Sequence, residues 1–155
     1  MARALTAVGV LLVVLILGLG LVIYLNREED RIAVDNLLAE DISRAIGTAE
    51  DRGEDVDLGR LAKFDWDELL LAERDTPRAQ ISRELGYEWK GDLEFRTGDL
   101  LIFLDRGRVA RFADYRGEGH FEGVRRPLDR IPRDAAVFRV RGLVIRPRDP
   151  GARRG

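Results

Sequence analysis

The chain predicts an α+β fold, and three observations carry that expectation. Strand-like apolar runs follow one another after residue 66 instead of alternating strictly with helices. Two stretches show apolar residues at helical spacing, one long and one short. Residues 4–25 contain no charge, proline or side-chain amide, and at about 1.5 Å of rise per residue they span roughly 33 Å as a helix, enough for a hydrocarbon core. The expected order is a short head (1–3), a transmembrane helix (4–25), an amphipathic stalk helix with an acidic linker (26–55), a globular domain (56–147) and a basic disordered tail (148–155). The globular domain is read as a mostly antiparallel sheet of about four strands with one short helix.

The opening segment is read as an uncleaved signal-anchor. Its apolar run is longer than the core of a secretory leader, and residues 21–26 offer no pair of small residues for cleavage. The chain has no cysteine to carry a lipid. Arg27 and Arg31 match or exceed Arg3 and the terminal amine, so the basic count taken literally slightly favours a cytoplasmic domain. The short head favours an extracytoplasmic domain on the cell membrane, single-pass, in a bacterial cell envelope. Gly9, Gly18 and Gly20 do not repeat at the spacing that brings two membrane helices together.

Beyond the span, Ile32, Val34, Leu37, Leu38, Ile42, Ala45, Ile46 and Ala49 recur at steps of three and four. They predict an amphipathic helix over about 28–50, with Glu28, Glu29 and Asp30 suited to its start. It could serve as a stalk, lie on the membrane or pack on the domain, and its acidic polar face disfavours the second. Residues 50–57, acidic and containing Gly53, read as a linker. The first strand is expected at 66–73, where the continuous run Leu69, Leu70, Leu71 predicts cover on both faces. Thr76 is the expected cap of a short helix, with Pro77 at its first position, Ile81 and Leu85 facing inward and Gly86 ending it. Residues 100–104 and 108–115 form a hairpin around Asp105, Arg106 and Gly107. A last strand is expected at 137–145, with Gly142 as a bulge.

Phe64, Asp65, Trp66 and Asp67 leading into Leu69–71, then Thr76, Pro77, Ile81, Leu85 and Gly86, and later Leu101, Ile102, Phe103, Asp105, Gly107 and Val109, resemble a group of small bacterial proteins of unknown function. Those proteins carry an N-terminal lipoprotein signal or membrane anchor. Arg74 and Asp75 stand where that group has an aromatic, proline-rich turn. The resemblance implies an extracytoplasmic domain and no established activity.

Charge is unevenly distributed. Residues 27–99 carry a net charge of −10 and residues 100–155 one of +7. Such asymmetry closes on itself within one fold, or it presents a basic face to an envelope protein or anionic polymer. Arg106, Arg108, Arg111, Arg116, Arg125 and Arg126 are the candidate partner-binding residues, joined by the tail arginines Arg146, Arg148, Arg153 and Arg154. Arginine supplies 24 of the 26 basic residues, a genomic signature more than a nucleic-acid one. No nucleic-acid partner is expected.

Candidate chemistry is sparse. Asp65 and Asp67 would emerge on one side of an extended strand, as acid-base or metal chemistry requires, although carboxylates at a strand entrance are ordinarily solvated. His120, flanked by Glu118 and Glu122 among glycines, offers one nitrogen and two carboxylates, too few strong ligands for structural zinc. Ser43 and Ser82 fall on expected helices, not on a nucleophile elbow. No phosphate-binding or dinucleotide fingerprint occurs. Trp66, Tyr87, Trp89 and Tyr115 read as core before they read as ligand groove. No catalytic residue, metal or cofactor is assigned. The expected function is a non-enzymatic interaction module; an envelope hydrolase or metal-dependent enzyme using Asp65, Asp67 or the His120 loop is the second reading, and a cytoplasm-facing accessory subunit of a membrane complex the third.

Overall fold

The computed structural model describes residues 34–91 and 98–148. Its elements in chain order are α1 (Asn36–Arg52), β1 (Asp55–Asp57), α2 (Leu58–Leu61), β2 (Glu68–Ala72), α3 (Arg78–Leu85), β3 (Leu100–Asp105), β4 (Arg108–Asp114), β5 (His120–Phe121), β6 (Leu128–Pro132), a 3₁₀ turn (Arg133–Ala135), β7 (Val137–Arg141) and β8 (Val144–Pro147). The α+β class and a small antiparallel sheet of four strands are present, the latter in the order β4-β3-β2-β6. A second sheet, β1-β7-β8-β5, adds what the sequence does not announce; only its β5–β8 pair is parallel.

The central sheet explains the continuous apolar runs. Leu69, Leu71, Leu101 and Phe103 point into a core shared with α1 and the second sheet, while Leu70, Ala72, Leu100, Ile102 and Leu104 pack with Ile81, Leu85 and Trp89 on the other face. Both faces are covered, so alternation disappears from the sequence. The hairpin turn is confirmed: Arg106 and Gly107 have φ of 50° and 77°, the two positive values that match strand twist.

Helix α1 is a core element. Leu38, Ala39, Ile42, Ile46 and Ala49 are buried, Asp35 accepts the Leu38 N–H at 2.9 Å as its cap, and Gly53 closes it in the left-handed region at φ 65°. The helix expected from 28 thus begins after Asp35 within the described residues, and positions 28–33 lie outside them. Three further expectations are corrected. The acidic linker contains β1, which pairs with β7. Pro77, not Thr76, is the residue before α3; its ψ of 145° keeps it extended, and the buried Thr76 hydroxyl instead donates to the Pro127 carbonyl at 3.3 Å. Gly142 makes the turn of a β7–β8 hairpin at φ 56°, so the single strand expected at 137–145 is two.

The expectation of a transmembrane, signal-anchor helix is not upheld. Among the described residues no helix is long and apolar enough to cross a membrane. Residues 1–33, which include the segment expected to span, and the tail at 149–155 lie outside the described residues.

Candidate functional site

A groove of about 870 Å³ runs along α1. One wall is the side of α1 bearing Leu37, Asp41, Arg44, Ala45 and Thr48, which recur at steps of three and four and so share a helix face. The other is built from β1, the end of α2, Lys63, Phe64 and Arg111. Leu38, Ala45, Ala49, Val56, Leu61 and Phe64 supply the apolar lining, and Leu37 at the lip is 76% exposed.

Several contacts hold these walls in place. Phe64 meets the buried Phe103 edge-to-face at 5.4 Å, and the Arg111 guanidinium lies 4.7 Å above its ring. Arg111 also pairs with Asp35 at 2.8 Å, tying β4 to the start of α1. Burial pushes the Asp35 carboxyl up, but the Leu38 N–H and the Arg111 guanidinium outweigh it and hold the group below the usual carboxylate range.

Charges around the rim divide into used and unused. Asp41 pairs with Arg44 at 3.3 Å, and Asp55 with Arg139 at 3.5 Å and Arg148 at 2.9 Å. Glu54 and Asp57 have no cationic partner among the described residues, nor have Arg60 and Lys63 an anionic one. Asp57 accepts the Arg60 backbone N–H at 3.2 Å, which caps α2 without neutralising the carboxylate.

Of the six candidate arginines, Arg111 alone lines this groove. Arg106 lies in the β3–β4 turn, 3.8 Å from Asp105, and Arg108 follows the turn, opposite Asp105 in register. Arg116 pairs with Asp114 at 3.4 Å and with the Asn36 side chain at 3.0 Å. Arg125 lies 3.6 Å from Asp129, and Arg126 binds Glu73 and the Phe121 carbonyl. Arg146 pairs with Glu122. Asp65 is exposed, and Asp67 accepts the Arg106 N–H at 3.0 Å, stapling the hairpin turn. Ser43 and Ser82 lie on helices and donate to the carbonyls of Ala39 and Arg78.

His120 opens β5 and meets Glu122 at 2.8 Å. The Glu122 carboxyl is held low by hydrogen bonds from Arg146 and then from His120. A smaller cleft of about 320 Å³ contains His120 with Glu73, Asp99, Tyr115 and Arg116, and neither Asp65 nor Asp67 lines it. Among the described residues no three His, Cys, Asp or Glu side chains form a metal-binding group. Burial, with the charges of Glu50, Glu118 and Asp99 behind it, pushes the Tyr115 hydroxyl up to about 12, and it donates to the Glu118 carbonyl at 2.5 Å.

Burial also raises the Asp99 carboxyl despite the hydrogen bond from the Arg74 N–H at 3.2 Å. A carboxyl raised by the fold favours the folded state below its unfolded pKa, and that contribution is lost as pH rises through the folded pKa. Asp99→Asn keeps the acceptor and removes the charge. It is expected to be more stable than the parent at pH 7, by less than about 1 kcal/mol after solvent screening, and to lose that advantage below the carboxylate range, as denaturation at pH 7 and pH 3 would read.

Sequence reasoning missed Glu54, Val56, Asp57, Arg60, Lys63 and Phe64 as parts of one site. The available signal was the alternation Asp55, Val56, Asp57 starting two residues after Gly53, which ends a helix. Fold and groove together define a small two-sheet α+β domain with a cleft between a helix and a sheet edge. The chain matches no family model, no curated protein and no solved structure, so no family is assigned to it.

Proposed function

We propose that this domain is a non-enzymatic interaction module that holds a segment of a partner protein in the groove beside α1. The observation that carries the reading is an apolar lining inside a charged rim, with Leu37 exposed at its lip. An apolar centre with a polar surround is the anatomy of protein interfaces. The local use of Asp67 as a turn staple and of His120 in a pair with Glu122 supports binding over catalysis.

A photo-crosslinking residue in place of Ala45, inside the groove, compared with one in place of the exposed Arg83 on α3, tests this in cells that make the full chain. One partner captured from position 45 and not from position 83 is the expected result. Equal capture from both positions, or none from position 45, would contradict it.

A further inference from the structure

The wall of the groove formed by β1 is the end of a sheet, since β1 pairs with β7 on one side only. Register decides which of its backbone groups are used. The Leu58 N–H donates to the Ala136 carbonyl at 3.0 Å, continuing the ladder in which Val56 stands opposite Phe138. Antiparallel pairs alternate, so Val56 exchanges both bonds with Phe138. The N–H and C=O of Asp55 and the N–H of Asp57 therefore point away from β7, and no bond to them occurs among the described residues, whereas the Asp57 C=O opens the first turn of α2. All three residues line the groove.

The β4 edge of the other sheet is blunted. On β4 the Val109 N–H donates to the Tyr87 hydroxyl at 2.9 Å, and the Phe112 carbonyl accepts the Asp35 N–H at 2.9 Å. An edge left open beside an apolar groove is a template for strand addition.

We infer that the groove takes an extended partner segment as an additional antiparallel strand on β1, with an apolar residue opposite Val56 and a basic residue opposite Asp57. This rests on the interaction reading above. The side chain opposite Val56 faces the same way as Val56, whose own side chain is buried toward α1. Its neighbour opposite Asp57 meets a carboxylate without a cation, and a basic residue three positions after that neighbour comes beside Glu54. Arg60 and Lys63 on the same rim work against a uniformly basic segment. A second copy of this chain fits poorly, because antiparallel β1–β1 pairing sets Asp55 against Asp57 twice. The chain's own Arg153 and Arg154 are adjacent, with no apolar residue between them.

The test titrates the full chain with the synthetic peptide Ser-Thr-Arg-Val-Thr-Lys-Thr, read by backbone amide resonances. Saturable shifts at the amides of Asp55 and Asp57 are expected. N-methylation of the Thr that follows Val, whose N–H meets the free Asp55 carbonyl, should weaken binding by about tenfold or more. N-methylation of the central Val, whose amide points to solvent, should leave affinity within about twofold by the same bond arithmetic. A peptide that binds equally well whichever amides are methylated overturns strand addition and leaves the groove reading standing. A peptide that does not bind while position 45 still captures a partner overturns this occupant alone. Failure of both experiments removes the two readings together.

Discussion

Phe103→Ala is expected to lower the unfolding free energy by about 4 kcal/mol, the usual cost of deleting a buried aromatic ring. Phe103 is fully buried on β3, between β2 and β4. It packs edge-to-face with Trp66 at 5.0 Å and with Phe64 at 5.4 Å, so the substitution leaves a cavity and removes two ring contacts. Phe64 is also a wall of the groove, under the Arg111 guanidinium. Destabilisation should therefore come with a groove whose lining is no longer fixed. Chemical denaturation checks the first effect, with Phe103→Leu expected to cost less than about 2 kcal/mol because more of the volume remains. A loss below about 1 kcal/mol for Phe103→Ala would place Phe103 outside the core.

Arg130→Met is expected to cost about 2 kcal/mol. From β6, Arg130 binds the Glu68 carboxylate of β2 at 2.7 Å, and the carboxylate and carbonyl of Glu84 on α3 at 2.8 Å and 2.6 Å. One guanidinium thus ties α3 to two strands of the central sheet. Burial would lower its pKa, but the hydrogen bonds to Glu84 and Glu68 raise it above the ordinary arginine value. The three side chains are 29%, 38% and 37% exposed, so water softens the penalty below that of a fully buried pair. Arg130→Lys should recover only part of the loss, since an ammonium cannot reproduce the forked geometry. Replacing Glu68 and Glu84 by Gln together with Arg130→Met should be less damaging than Arg130→Met alone. If Arg130→Lys restores full stability, a point charge suffices and the forked contact is not what holds α3.

How much of this was legible follows from what each element depends on. β2, β3 and the hairpin carry their own signals, a doubly covered apolar run and a turn with glycine at its second central position. The body of α3 carries its own too, in Ile81, Leu85 and Gly86. β1, β5 and β6 do not. β5 has two residues, β1 has three, and β6 contains two buried apolar residues, Leu128 and Ile131, so each exists because a neighbouring strand accepts its backbone. The charge asymmetry was visible in sequence, and its use was not. Asp35 with Arg111, Asp55 with Arg139 and Arg148, Glu68 and Glu84 with Arg130, and Glu73 with Arg126 join the acidic first part to the basic second. Several arginines that stand out as a binding patch in sequence are counter-ions in the fold. The groove was invisible because its walls come from positions 35 to 111, and only tertiary packing brings them together.

The most direct test of the account is amide hydrogen exchange at Asp55, Val56 and Asp57 in the full chain without a partner. An open edge predicts alternation, with Val56 protected by its bond to Phe138 while Asp55 and Asp57 exchange much faster. Protection of Asp55 and Asp57 equal to that of Val56 would mean that the edge of β1 is already filled, and would contradict strand addition in the groove.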